Sequence, residues 1–305
     1  MKEITIIGGI TADIEGTPYG QLIMGDSNPG KISISYGGVG RNIAENLARL
    51  GASVGFVSVA GEDFTGKSAV AQLRELGVDV DNIQLLKDES TAMYLSILNI
   101  FGEMELALCN MDVLERVSLD LIEEAMPKLK ASRIVGLDAN LKEETLEYLV
   151  EALAGTPLFL DPVSVTKAER AKKVIGKFHT IKPNRIEAEI LTGRSILNEE
   201  ELAEAGKWFE EKGVVRTFIT LSGGGVYYKE GNSEGIIRPV QGSLVSATGA
   251  GDAFSAAVMD GFVKGMGVEE VARYGLSVSS IAMEAKTAVN PKMNLEEAVR
   301  RMKNV

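Results

Sequence analysis

Near the carboxyl end, Thr248-Gly249-Ala250-Gly251-Asp252 sets small residues directly before an apolar helical run through Ala256, Ala257, Val258 and Phe262. With no bulk in the way, the backbone N–H groups of Gly249, Ala250 and Gly251 can converge on one point, and the helix dipole adds positive potential there. That is a cradle for an anion. Asp252 stands at its edge. An Asp at a helix start is ordinarily a cap. Beside a bound anion, however, a carboxylate is repulsive unless it has a chemical task. Accepting a proton from a hydroxyl that attacks a phosphoryl group is such a task, because phosphoryl transfer asks the protein mainly to position groups and neutralise charge.

Three further glycine runs compete for a phosphate or a hydroxyl-rich ligand. Gly37-Gly38-Val39-Gly40-Arg41-Asn42 opens a helix on which Val39, Ile43, Leu47 and Leu50 recur at helical spacing. The glycines permit close approach of a ligand to backbone, and Asn42 offers both a donor and an acceptor toward the same mouth; the other reading is a flexible lead into a packed helix. Gly8-Gly9 follows the first strand, but the third glycine of a dinucleotide fingerprint is missing and Asp13 brings a carboxylate instead. Gly61-Glu62-Asp63-Phe64-Thr65-Gly66-Lys67-Ser68 matches G-x-x-x-x-G-K-[ST] letter for letter. Glu62 and Asp63 would repel a triphosphate wrapped by that loop, so we expect a strand-to-helix turn with Asp63 or Thr65 at the helix start. A P-loop NTPase using Lys67 is the competing reading.

The elements that must position these residues alternate. Apolar strands are predicted at Ile4–Ile7, Ser53–Val59, Arg133–Leu137, Pro157–Leu160, Phe178–Lys182 and Thr217–Leu221, with charged helices between them. Asn198 with Glu201, and Asn294 with Glu297, are spaced as N-cap pairs. Repeated β-α-β implies an α/β fold with a mostly parallel sheet covered on both faces. Two segments break the alternation, approximately 11–36 and 91–108. Both are strand-rich without an intervening helix, and we expect them to pair as a small β-sheet lid inserted in a single domain spanning 1–305.

Composition narrows the partners. The 305 residues carry 32 Lys+Arg against 43 Asp+Glu, a net charge of -11, which argues against nucleic acid or an anionic membrane surface. A small phosphorylated ligand is still compatible, because Mg²⁺ and a few local donors can hold one on an acidic protein. One cysteine, Cys109, and one histidine, His179, leave little material for disulfides, His/Cys zinc sites or a Ser-His-Asp triad. No stretch is apolar enough to span a membrane, and a reducing cytoplasm fits best.

With these residues assembled, the chain resembles the ribokinase-like (PfkB) family of carbohydrate and nucleoside kinases along essentially its whole length. Gly37–Asn42 with Ala44, Leu47, Leu50 and Gly51 is similar to the family's N-terminal signature, and Thr248–Phe254 to its C-terminal one. Between them, Lys182-Pro183-Asn184-Arg185-Ile186-Glu187 resembles the N-x-x-E element, and Leu221-Ser222-Gly223-Gly224-Gly225-Val226 the end of a nucleotide-binding strand. The resemblance implies a three-layer α/β/α fold and an ATP- and Mg²⁺-dependent kinase. It casts Asp252 as catalytic base and the Gly249, Ala250 and Gly251 amides as the cradle of the transferring group. Asn184 and Glu187 would hold Mg²⁺, partly through water. Lys182, Ser222, Gly223 and Gly225 would lie along the ATP phosphates, and Asp13, Gly38 and Asn42 would bind sugar hydroxyls.

One departure concerns a cofactor. The family usually reads Asp-Thr-x-Gly-x-Gly-Asp, where the first Asp helps to form a monovalent-cation site; this chain has Ser246-Ala247 there, which puts potassium activation in doubt. Within the family the chain most resembles the branch that phosphorylates pseudouridine at its 5′-hydroxyl. Ser27-Asn28-Pro29-Gly30, the form Gly37-Gly38-Val39-Gly40-Arg41-Asn42-Ile43-Ala44-Glu45-Asn46, and Asp161-Pro162-Val163-Ser164-Val165-Thr166-Lys167 carry that likeness. Ser27 and Asn28 could pair with the polar edge of a nucleobase, or simply form a β-turn; Lys167 reads as a solvated charge. The alternatives are a kinase for another ribonucleoside or a sugar and, from a different class, a nucleoside-binding sensor without turnover. A homodimer formed lid to lid is a further expectation, since such sheets have exposed edges.

Overall fold

The computed structural model describes residues 2–223, 225–239 and 244–305. Its strands are β1 (Ile4–Ile7), β2 (Thr11–Pro18), β3 (Gly30–Gly37), β4 (Val54–Gly61), β5 (Asp79–Leu86), β6 (Ala92–Leu98), β7 (Met104–Asn110), β8 (Ile134–Asp138), β9 (Leu158–Asp161), β10 (Thr180–Ile181), β11 (Arg216–Leu221), β12 (Gly225–Glu230) and β13 (Ser233–Ile237). Its helices are α1 (Val39–Arg49), α2 (Phe64–Glu75), α3 (Leu119–Ala131), α4 (Glu143–Ala152), α5 (Val165–Ala168), α6 (Arg185–Thr192), α7 (Glu199–Lys212), α8 (Ala250–Val263), α9 (Val268–Ala282) and α10 (Leu295–Met302).

Nine strands join in the order β13-β12-β11-β10-β9-β8-β1-β4-β5. From β11 to β5 every neighbour is parallel, while β12 and β13 add an antiparallel edge that the alternating pattern did not announce. The central strands are apolar throughout because both faces are covered. In β9, Leu158 and Leu160 enter one core, which α3, α4 and α7 also line. Phe159 points the opposite way, into a core shared with α1, α2 and α8. These are the three layers that repeated β-α-β requires.

The second sheet has the order β3-β2-β6-β7. The parallel pairing of β2 with β6 unites two stretches of chain far apart in sequence, with Asp13 opposite Tyr94 and Ile14 opposite Leu95. β2 leaves β1 through Gly8-Gly9-Ile10, and β3 returns directly into α1, so this sheet hangs at the carboxyl ends of the main strands.

Several helix starts follow the sequence signals. Asn198 accepts from the Glu201 amide and Asn294 from the Glu297 amide, both at 2.9 Å. Caps of this kind contribute about 1 kcal/mol each. His179 is a satisfied residue, with Nδ1 2.8 Å from the Thr180 hydroxyl and its ring edge against Phe262.

Candidate active site

The carboxyl ends of β1, β8, β9 and β11 and the start of α8 meet on one edge of the main sheet, the place where open parallel sheets present ligand sites. At Gly249 the backbone sits at φ 79°, and any Cβ there would collide with the Ala288 carbonyl. Only glycine fits, and no side chain caps the helix. The helix start adjoins a cavity that Ala247, Ala250, Gly251 and Asp252 line. The Ala250 N–H itself is directed at the Ala247 carbonyl, 3.3 Å away, so it belongs to the turn that builds the cradle. The Ser246 hydroxyl, at the position of the family's Asp, accepts from the Thr248 amide at 3.2 Å.

Asp252 does not cap α8. Its Oδ2 accepts from Asn42 Nδ2 at 2.8 Å, a bond between α1 and α8 across 210 residues. Burial and the nearby Asp161 carboxylate push the Asp252 carboxyl up to about 7, although the Asn42 bond and the Lys182 ammonium pull the other way. A carboxylate with that proton affinity is poised to exchange a proton at neutral pH. Beneath it, buried Lys182 pairs with Asp161 at 2.9 Å and reaches the Gly251 carbonyl at 3.4 Å. Burial opposes the Lys182 charge, but Asp161, Glu187 and Asp252 outweigh it and hold the amine above its ordinary value. Asp161 is fixed in turn by Ser255 Oγ at 2.7 Å and the Val163 amide at 2.9 Å. Val163 takes φ 67°, an uncommon conformation for a β-branched residue, to deliver that amide.

The cavity has a volume of about 680 Å³, ample for a nucleotide, and Lys182, Asn184, Glu187, Ser222, Gly223 and Gly225 all line it. Gly224 of the same run lies outside the described residues. Asn184 and Glu187 form a capping box at the start of α6: Asn184 Oδ1 accepts the Glu187 amide at 2.9 Å, and Glu187 Oε2 accepts the Asn184 amide at 2.8 Å. Burial raises the Glu187 pKa, with Lys182 opposing. Among the described residues no three acidic, His or Cys side chains gather as a metal cage. Glu187, whose Oε1 has no protein partner among the described residues, offers a donor for a hydrated cation that also contacts phosphate.

The acceptor-side residues fall in two groups. Asp13, Gly38 and Asn42 surround the junction of β2 and α1. Asp13 accepts from Thr11 Oγ1 at 3.2 Å and has its pKa raised by burial. Gly38 takes φ 96° against the Gly9 carbonyl, a contact that excludes a Cβ. Ser27 and Asn28 are not brought to this point by any recorded contact: they lie exposed in the loop between β2 and β3, where Asn28 binds the Ile23 amide at 2.8 Å and the Ile23 and Asp26 carbonyls at 3.0 Å. Lys167 is not the solvated charge its sequence context suggests; it is half-buried, donates to Asn140 Oδ1, and has its pKa lowered by burial.

The P-loop pattern is occupied by the protein itself. Asp63 caps α2 and accepts from the Gly66 amide, the Thr65 and Thr91 hydroxyls and the Thr91 amide, all at 2.7–2.8 Å. Burial opposes its charge, but those bonds lower its pKa to about 2. Lys67 pairs with Glu62 at 3.2 Å in solvent. Sequence reasoning gave no role to Asp138, which is fully buried and accepts from the Gly9 amide at 3.0 Å, the Gly40 amide at 2.8 Å and the Asn140 amide at 3.0 Å, tying both glycine turns to β8. Asp161 opens the Asp161–Lys167 segment quoted for its likeness, but it too had no role of its own. The available signal was that each acid directly follows a predicted parallel strand.

The profile described as pfkB family carbohydrate kinase matches residues 1–294. The chain belongs to the pfkB family of carbohydrate kinases. It is 34% identical over 302 residues to the pseudouridine kinase of Escherichia coli (strain K12), covering 99% of this chain and 96% of that one. The guanosine-inosine kinase of Exiguobacterium acetylicum is 28% identical over 298 residues, covering 96% and 98%. The ribokinase of Arabidopsis thaliana, solved with ribose and ATP, superposes with a TM-score of 0.87 at 21% identity over 99% of both chains, a likeness of fold. This chain is therefore a sugar or nucleoside kinase, a phosphotransferase acting on a hydroxyl. No helix among the described residues is long and apolar enough to cross a membrane.

Proposed function

We propose that this pfkB-family chain transfers the γ-phosphoryl group of ATP to the 5′-hydroxyl of a nucleoside, and that the nucleoside is pseudouridine. The observation that carries the transfer is Asp252: a carboxyl with a pKa near 7, bonded to Asn42 on the acceptor side and lining the cavity on the nucleotide side. The acceptor hydroxyl gives its proton to Asp252 as its oxygen bonds to the γ-phosphorus. The bond to the bridging oxygen breaks, and ADP departs with that electron pair. The uncapped start of α8, through the Gly249 and Gly251 amides, stabilises the charge on the migrating group. Lys182, Ser222, Gly223 and Gly225 lie along the phosphates. Asp13, Gly38 and Asn42 hold the sugar.

Glu187, with Asn184 beside it, would hold a Mg²⁺ largely through water, and such an ion would supply neutralisation of phosphate charge. The second sheet acts as a lid that excludes water and so suppresses ATP hydrolysis. Its outer face is apolar: Ile34, Ile14, Leu95 and Leu108 are in register across all four strands, and Ile34 and Leu108 are more than half exposed. A two-fold pairing of this face would bury it, which supports a lid-to-lid homodimer. A reducing compartment such as the cytoplasm suits the exposed Cys109 thiol.

Pseudouridine as acceptor is supported by the identity to the Escherichia coli enzyme over nearly the whole of both chains. The guanosine-inosine relative keeps another ribonucleoside as the second reading. ADP release measured with pseudouridine, uridine, inosine, adenosine, ribose and fructose 6-phosphate tests both. We expect the highest kcat/KM with pseudouridine. Preference for ribose, or for a purine nucleoside, would overturn the assignment of the base while leaving the phosphotransfer intact.

A further inference from the structure

Arg41 stands outside the roles assigned above, yet it is placed expensively. Its side chain is 3% exposed on α1, and its Nε has no hydrogen-bond partner among the described residues. Nη1 donates to Asn42 Oδ1 at 3.1 Å, and Nη2 reaches Gln72 Oε1 on α2 and pairs with Glu45 one turn along. Glu45 is itself shared with Arg49 at 2.7 Å. Replacing a buried ion pair with apolar groups is often neutral or stabilising, so helix packing alone gives little reason for a guanidinium here.

We propose that Arg41 is a positioning residue that fixes which end of the Asn42 carboxamide faces Asp252, and thereby keeps the base in its ionisable state. The inference rests on the reading of Asp252 as that base. A carboxamide has two ends of nearly the same shape and opposite hydrogen-bonding character, so the space around Asn42 does not choose between them. Arg41 does. A guanidinium has donors only, so it must meet Oδ1, and the amide nitrogen is then turned to Asp252 Oδ2. Among the described residues, Arg41 alone donates to Asn42 Oδ1.

Without that donor the carboxamide can rotate by half a turn. A protonated Asp252 then donates to Oδ1, and the acid form gains a bond that the carboxylate cannot make. The other charged groups facing Asp252 are Asp161 from β9, Asp138 from β8 and Lys182 after β10. Those facing Arg41 are Glu45 and Arg49 on α1 and Asp13 on β2. None of them takes the place of Arg41 on Asn42. The proton affinity of the base is thus set partly by a residue that never touches the reactants.

The test uses R41M, R41K and D252N in the full chain. Two readouts are compared: the acid limb of kcat/KM against pH, and the titration of the Asp252 carboxyl by ¹³C NMR in the absence of ligands, assigned by its loss in D252N. R41M is expected to move both midpoints up by about one pH unit, the scale of one hydrogen bond to a charged group, with turnover recovering at pH 9. R41K retains a donor and returns both midpoints toward wild type. A uniform loss of rate at every pH, with the carboxyl titration unmoved, overturns the proposal and leaves Arg41 a structural residue. If R41M does not fold, R41M/E45M removes the buried carboxylate with its partner and takes the same readouts. Full turnover by D252N would instead sink the base assignment itself, a result separable from an unmoved titration in R41M.

Discussion

At the scale of single residues, Asp252 couples stability to activity through its proton. Its folded-state pKa of about 7 lies above the ordinary 3.8, so the folded protein binds a proton that the unfolded chain has released at neutral pH. Stability contributed by this site is therefore lost as pH rises from about 4 to about 7. D252N abolishes that loss. We expect the variant to melt higher than wild type at pH 8, with the gap narrowing toward pH 4 in calorimetric scans. The same substitution should lower kcat by at least ~10² while nucleoside binding is largely retained, the scale of a lost general base. Wild-type kcat/KM should rise with pH through an acid limb centred near 7. A limb centred near 4 would mean that the carboxyl is not held in the environment described.

At the scale of elements, the Gly61–Ser68 turn shows how one short pattern serves two ends. The same strand-turn-helix backbone that cradles phosphate elsewhere here cradles the Asp63 carboxylate. Through Thr91, which leads into β6, that carboxylate ties α2 to the second sheet. Because its pKa is lowered to about 2, its contribution is present above pH 4 and disappears as pH falls toward 2. D63N should cost about 1–2 kcal/mol at pH 7, and urea titrations of variant and wild type should converge near pH 2. K67A should leave turnover unchanged, since Lys67 sits in solvent against Glu62; its inactivity would restore the P-loop. The two acids in the loop made this outcome legible beforehand. Thr91 as the partner of Asp63 was not, because nothing local links positions 63 and 91.

At the scale of the whole molecule, Ile34 and Leu108 on the outer face of the second sheet are more than half exposed. If the proposed dimer covers them, Ile34→Glu with Leu108→Lys should convert a dimer to a monomer in sedimentation equilibrium at micromolar concentration. Wild type sedimenting as a monomer there would remove the idea. The layered architecture was legible in the residues alone, since strand and helix periods and cap residues are local properties. So was the chemistry on offer, since a small-residue turn before an apolar helix can present amides whatever surrounds it. Which groups share a charge environment was set when distant segments folded against one another. Asn42 meets Asp252, Lys182 meets Asp161, and Asp138 meets Gly9 and Gly40 across separations that no local pattern encodes. The proton affinity of Asp252 is a sum over those meetings and over burial, so it exists only once the strands have closed side by side.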